Sequence, residues 1–212
     1  LSSNFVRACC EDNPGNIWIG TFNGLNRYNK ITGLFQNHTA NDTQADGLTH
    51  SSIWCIVKDN QGTLWLGTYF GGVNYFNPEY EIYTRYSYSS NEKKGLSNPV
   101  VGRTIEDKDG NLWIGTEGGG LNYYNRRTRE FKWYRPQEGR NSISHNNVKA
   151  LYYDADKEII WIGTHLGGLN KLDIRSGHFT HYRMEEGNPN TLPSDIIRDI
   201  IPYKSLLIVA TQ

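Results

Sequence analysis

Apolar residues in this chain fall in short alternating runs, Ile17-Trp18-Ile19, Leu64-Trp65-Leu66, Leu112-Trp113-Ile114 and Ile159-Ile160-Trp161-Ile162, each bounded by Gly, Asn and Asp. The three-to-four spacing of an amphipathic helix is absent, so the pattern predicts strands throughout. One phrase recurs: Trp18-Ile19-Gly20-Thr21, Trp65-Leu66-Gly67-Thr68, Trp113-Ile114-Gly115-Thr116 and Trp161-Ile162-Gly163-Thr164, with Ile208-Val209-Ala210-Thr211 a degenerate fifth copy. The intervals are 47, 48, 48 and 47 residues. A fixed period of that length marks a repeat architecture.

Aligned on the Trp, the copies share the rest of a common unit. Leu1-Ser2, Leu48-Thr49, Leu96-Ser97, Ile143-Ser144 and Leu192-Pro193 open it, and Val6, Ile53, Val101, Val148 and Ile197 begin its first strand. An acidic turn follows at Asp12-Asn13-Pro14-Gly15-Asn16, Asp59-Asn60-Gln61-Gly62 and Asp107-Lys108-Asp109-Gly110-Asn111, of a type that reverses a hairpin. The Trp strand comes next. A Gly-rich step at Asn23-Gly24, Gly71-Gly72, Gly119-Gly120 and Gly167-Gly168 then leads into strands that open with Asn26, Asn74, Asn122 and Asn170. Fourth strands read Leu34-Phe35, Phe131-Lys132-Trp133-Tyr134 and Phe179-Thr180-His181-Tyr182. Long polar connections cover residues 38–47, 88–95, 136–142 and 185–191.

Four short strands per unit make a β-propeller blade. The reading is all-β: four-stranded antiparallel blades at 1–47, 48–95, 96–142 and 143–191, and a partial repeat at 192–212, about four and a half in all. A twisted sheet must stack both faces, so the Trp is assigned to packing between blades. Gly20, Gly67, Gly115 and Gly163, two residues on and on the same face, are expected to give that Trp room. Leu1 opens the chain mid-phrase without an initiator methionine, which predicts a piece of a longer protein. Four and a half units predict unpaired edges, and hence self-association or a rearranged closure.

Charge and cysteine narrow the partners. Lys plus Arg and Asp plus Glu number 22 each, so no net field draws in a polyanion or an anionic membrane. Direct nucleic-acid binding is not expected. Cys9, Cys10 and Cys55 form no CxxC pair, which argues against a zinc site or a disulfide framework. Neither a run long and apolar enough to span a membrane nor a signal leader is present in the sequence.

The phrase Asp-x-x-Gly-Asn-Leu-Trp-Ile-Gly-Thr at residues 107–116, followed by Gly-Gly-Leu-Asn-Tyr-Tyr-Asn at 119–125, closely resembles the two-component regulator propeller repeat. The resemblance covers nearly the whole chain. It implies the extracytoplasmic sensor domain of a Bacteroides-type hybrid two-component system, periplasmic and part of an inner-membrane protein whose histidine kinase lies elsewhere. It also implies an oligosaccharide ligand, a membrane link only through the parent, and a segment taken from a seven-bladed ring. Repeat four departs from the pattern, with Asp154-Ala155-Asp156-Lys157-Glu158 in place of the Gly turn, and repeat five stops at Gln212.

Chemistry-bearing patterns are few. His38, His50, His145, His165, His178 and His181 show no metal spacing; His178 and His181, three apart in a predicted strand, point to opposite faces. No metal and no cofactor are expected. The Asp-to-Trp spacing resembles the Asp-box of sialidase propellers, but Gly and Trp each stand one residue later, which favours a turn whose Asp caps backbone amides. Gly118-Gly119-Gly120 has no following helix and reads as architecture. Asn37-His38-Thr39 and Asn41-Asp42-Thr43 match the glycosylation sequon.

Function is sought where the repeat breaks, because a site needs one asymmetric constellation. The pair after each Trp motif varies: Phe22-Asn23, Tyr69-Phe70, Glu117-Gly118 and His165-Leu166. So does the position after each first-strand aliphatic: Arg7, Trp54, Gly102, Lys149 and Arg198. Both columns fall on the rim that surrounds the central channel. Aromatic rings beside polar and cationic groups suit a sugar, so Arg7, Phe22, Asn23, Trp54, Tyr69, Phe70, Glu117, Lys149, His165 and Arg198 are the candidate ligand-binding residues, with no catalytic residue assigned. Two alternatives stand beside this: a propeller lyase or hydrolase of the streptogramin-lyase kind using His165 or Glu117, and a protein-interaction propeller.

Overall fold

The structure, a computed structural model, describes residues 1–40, 47–78, 80 and 82–212. Four antiparallel four-stranded sheets follow one another in chain order. The first holds β1 (Val6–Glu11), β2 (Ile17–Thr21), β3 (Gly24–Tyr28) and β4 (Phe35–His38). The second holds β5 (Ile53–Lys58), β6 (Leu64–Thr68), β7 (Val73–Asn77) and β8 (Ile82–Tyr86). The third holds β9 (Val101–Glu106), β10 (Leu112–Thr116), β11 (Gly120–Asn125) and β12 (Glu130–Tyr134), and the fourth β13 (Val148–Asp154), β14 (Ile159–Thr164), β15 (Leu169–Asp173) and β16 (Phe179–Tyr182). A two-stranded fifth sheet pairs β17 (Ile197–Tyr203) with β18 (Leu206–Thr211). Within each sheet the strands pair in sequence order, as in a propeller blade.

First strands pack one on the next, β1 on β5, β5 on β9, β9 on β13 and β13 on β17, around a central channel. No comparable packing joins β17 back to β1 among the described residues, and Phe5 and Ile201 remain exposed. Arg103 on β9 reaches across the channel to Asp199 on β17, 3.0 Å from Nη2 to Oδ1.

Each junction between sheets has its own apolar core. Trp18 and Leu25 pack on Ile53, Leu64, Leu66 and Phe76; Trp65 and Val73 on Val101, Leu112 and Ile114; Trp113 and Leu121 on Val148, Ile160 and Ile162. Truncating such a Trp to Ala costs about 3–5 kcal/mol. The glycine two residues on does not serve the Trp as expected. A Cβ on Gly20 would meet Ile53 Cγ2 at 2.7 Å, on Gly67 Val101 Cγ1 at 2.7 Å, on Gly115 Val148 Cγ1 at 2.5 Å and on Gly163 Ile197 Cγ2 at 2.5 Å. The missing side chain admits the first aliphatic of the following blade, so this glycine sets the approach of neighbouring sheets.

The acidic turns hold the indoles. Trp18 Nε1 donates to Asp12 Oδ2 at 2.8 Å, Trp65 Nε1 to Asp59 Oδ2 at 2.9 Å and Trp113 Nε1 to Asp107 Oδ2 at 3.1 Å. The other oxygen takes the amide four residues on, at Asn16, Thr63 and Asn111. In repeat four the turn is one residue longer: Asp154 holds the Asp position by pairing register but accepts from the backbone N–H and Nζ of Lys157, and Trp161 is half-buried under a fifth sheet of only two strands. Four buried asparagines fix the connections between blades: the Oδ1 of Asn26, Asn74, Asn122 and Asn170 accepts the backbone N–H of Ser2, Thr49, Ser97 and Ser144. Opposite each Asn, the fourth strand carries a varied side chain, and three of these grip the neighbouring connection: Arg85 to Gly47 O, Trp133 Nε1 to Gly95 O and His181 Nε2 to Ser142 O. His178 lies just before β16 and meets Asn141 Nδ2 through Nδ1 at 2.6 Å. Both histidines brace one connection. Asn37 is exposed on β4, while the second sequon lies outside the described residues.

Candidate functional site

Each first strand carries a bulge at the same place. Pairing register slips between Val6 and Ala8, between Ile53 and Cys55, between Val148 and Ala150 and between Ile197 and Asp199, and in the third sheet between Val101 and Arg103 opposite Thr116 and Gly115. The extra residue is Arg7, Trp54, Lys149, Arg198 and Gly102 respectively. These are the varying column, and a bulge re-aims the side chain it adds. The residue after each motif Thr donates its N–H to the carbonyl just before the first strand: Phe22 to Phe5, Tyr69 to Ser52, Glu117 to Val100, His165 to Asn147 and Gln212 to Ile196, all at 3.0 Å. Those bonds set the two varying columns side by side at one rim.

A third column, which sequence reasoning missed, shapes the same rim. The third residue of each repeat accepts the amide two residues on: Ser3 from Phe5, His50 Nδ1 from Ser52, Asn98 from Val100, His145 Nδ1 from Asn147 and Ser194 from Ile196. Its signal was available, since a polar, turn-capping residue follows every Leu-Ser opening.

Blades one and two bring their varying side chains into one ledge. The Arg7 guanidinium lies 4.0 Å from the Trp54 ring centre and 5.3 Å from that of Phe22, and its Nη1 donates to Ser52 Oγ at 3.2 Å. Trp54 meets Tyr69 at 5.8 Å between ring centres, Tyr69 meets Phe70 at 4.4 Å, and Phe70 meets His50 at 6.2 Å. Phe22 and Phe70 are more than half exposed, at 54% and 58%. Arg7 has no carboxylate partner among the described residues. Trp54 Nε1 is buried without a hydrogen-bond partner among them.

The other candidates fall elsewhere on the rim. Lys149 and Glu117 form an ion pair between blades three and four, each about three-quarters covered. His165 sits beside His145, with its Nδ1 buried and unpartnered. Burial, then the charges of His165 and Arg183, hold the His145 imidazole below its ordinary value. Arg198 donates to Gln212 at the end of the fifth sheet. Asn23 is exposed, and its backbone N–H donates to Thr21 Oγ1 at 3.2 Å. No hydrogen bond or ion pair joins Glu117 to His165 among the described residues. No three His, Cys, Asp or Glu side chains among those residues converge as metal ligands would.

A family sequence profile described as "Two component regulator propeller" matches four times, over residues 1–23, 47–70, 95–118 and 142–165. Each match runs from the opening Leu or Ile, or the residue before it, to the varying turn of one blade. The four complete blades are two component regulator propeller repeats. Among curated proteins none matches in sequence. Solved structures share the fold. The extracellular domain described for the hybrid two component system BT4673 of B. thetaiotaomicron is 23% identical with a TM-score of 0.78, covering 99% of this chain and 26% of that one. The corresponding BT3049 domain from the same organism is 21% identical with a TM-score of 0.84, covering 100% and 28%. Virginiamycin B lyase from Staphylococcus aureus is further away, at 13% identity and a TM-score of 0.66, covering 97% and 63%. The repeats thus span about a quarter of the length of the extracellular domains they resemble. No helix among the described residues is long and apolar enough to cross a membrane.

Proposed function

We propose that these repeats are a ligand-sensing segment in the extracytoplasmic, periplasmic part of a hybrid two-component system, and that their bulged rim recognises an oligosaccharide. The observation that carries the reading is the ledge of Phe22, Arg7, Trp54, Tyr69 and Phe70. Sugar rings present C–H faces that stack on aromatics and hydroxyls that need fixed donors, and the ledge offers both. The likeness to extracellular domains of hybrid two-component systems supports the location and the role.

The segment itself performs no chemistry in this reading; ligand shifts the population of arrangements available to the parent, and a kinase elsewhere reads that shift. Only a difference in affinity between arrangements can do this, so the ligand must touch more than one rigid part. The open ends at β1 and β17–β18 also support self-association, through exposed Phe5, Leu206 and Ile208. Sedimentation at micromolar concentration reads this directly; a clean monomer removes it.

Calorimetric titration against a panel of plant and host oligosaccharides tests the rim. At least one member binds, and Trp54→Ala or Arg7→Ala weakens it by about tenfold or more, the loss of a stacking contact worth about 1.4 kcal/mol. A blank panel, or binding indifferent to both changes, sinks the proposal. Turnover of a lactone or glycan lost on changing His165 or Glu117 would put the lyase alternative in its place.

A further inference from the structure

A cavity of about 600 Å³ opens on the opposite rim, between the acidic turns of blades one and two. Asp12, Asn13, Gln61, Thr63, Asn77 and Tyr80 line it, with Arg27 in its wall. That volume falls within the range of small-ligand pockets.

The neighbouring junction shows what closes such a space. Between blades two and three, Arg126 donates to Asp59 Oδ2 at 2.7 Å, lies 3.5 Å from Glu106 Oε1, and rests over the Trp65 ring at 5.2 Å. Arg126 follows Asn125, the last residue of β11. The residue that follows Asn77, the last of β7, is Pro78, which lines the open cavity and carries no charge. Lys58 stands where the third blade has Glu106, so the second blade supplies neither the plug nor its acid.

Arg27 shares this cavity with the Asp12 carboxylate without pairing to it. Arg27, opposite Trp18 on β3, places its guanidinium 5.7 Å from the Trp18 ring centre. Its Nε is buried without a partner, and it has no ion pair among the described residues. Asp12, the carboxylate in the cavity, is engaged at both oxygens by Asn16 and Trp18. An Arg fork facing a polar cavity matches a carboxylate. We infer that the cavity between blades one and two binds a small carboxylate, with Arg27 as its anchor and the amides of Asn13, Gln61 and Asn77 around it. This site is separate from the bulged rim and does not depend on it.

The test is an NMR titration of the full chain, following the Trp18 indole and Arg27 Nε–H signals, with sodium glucuronate, sodium acetate and glucose as probes. Glucuronate moves both signals saturably and glucose at equal concentration does not; acetate binding as tightly would assign the site to any small carboxylate rather than to an acidic sugar. Arg27→Gln weakens glucuronate by about tenfold or more, in line with the loss of a charge-assisted pair. Pro78→Arg rebuilds the plug of the next junction and abolishes binding while the fold is kept, which covers the case in which the Arg27 variant fails to fold. Absence of saturable shifts with either carboxylate, equal shifts with glucose, or binding that survives both changes overturns the inference.

Discussion

On one rim Asp12, Asp59 and Asp107 hold Trp18, Trp65 and Trp113 through the same hydrogen bonds in three successive blades. On the other, Phe22, Tyr69, Glu117 and His165 share one backbone bond at 3.0 Å and no side-chain chemistry at all. Both rims belong to the same sheets. The difference lies in which atoms maintain the fold. On the acidic rim the turn itself carries the fastening side chains, so they repeat; on the bulged rim buried Asn26, Asn74, Asn122 and Asn170, backbone amides and turn caps do the fastening, and the side chains of the two outer columns are released to differ. A binding surface can therefore vary on the second rim at little cost to stability.

The largest blow to this contrast is Asp59→Ala. It strands the Trp65 indole, two backbone amides and Arg126 around a buried site, and is expected to cost about 3–5 kcal/mol in denaturant unfolding. A loss under 1 kcal/mol would mean that the acidic turn is not a fastening. Gly115→Val comes next: its branched side chain collides with Val148 of the following blade, for an expected loss of about 1–3 kcal/mol by the same measurement. On the bulged rim, Phe22→Ala should leave stability within about 0.5 kcal/mol while reducing oligosaccharide affinity. A stability change as large as that of Gly115→Val would show that this rim, too, is structural.

The smallest effect is one of pH. His145 is held below an ordinary imidazole value of 6.5, so the unfolded chain binds its proton more readily than the folded one. The stabilisation is complete above 6.5 and is lost as pH falls through the window just beneath, so unfolding midpoints should rise with pH there. His145→Asn keeps a cap for Asn147 and should flatten that slope; an unchanged slope would assign it to other groups.

Much of the fold was legible because its signals are local. Strand length, turn glycine and the Trp period each occupy a few neighbouring residues, and repetition made them unmistakable. The rim candidates were legible as breaks in the repeat, yet the sequence grouped all ten together. The structure joins Arg7, Phe22, Trp54, Tyr69 and Phe70, and leaves Glu117 with Lys149, His165 with His145 and Arg198 with Gln212. Alternation along a strand gives two faces, and a bulge breaks that alternation without leaving a mark in composition.

By itself the sequence determined the blade, its period, the packing role of the Trp and the positions at which copies disagree, since each follows from short-range preference repeated at a fixed interval. Tertiary structure alone decided which residue each glycine makes room for, that Asp59 fastens Trp65 while Asp154, on a longer turn, takes Lys157 instead, and that Pro78 leaves open the space Arg126 fills one blade later. Those outcomes depend on side chains tens of residues apart meeting across neighbouring sheets, and no local pattern encodes the distance between them.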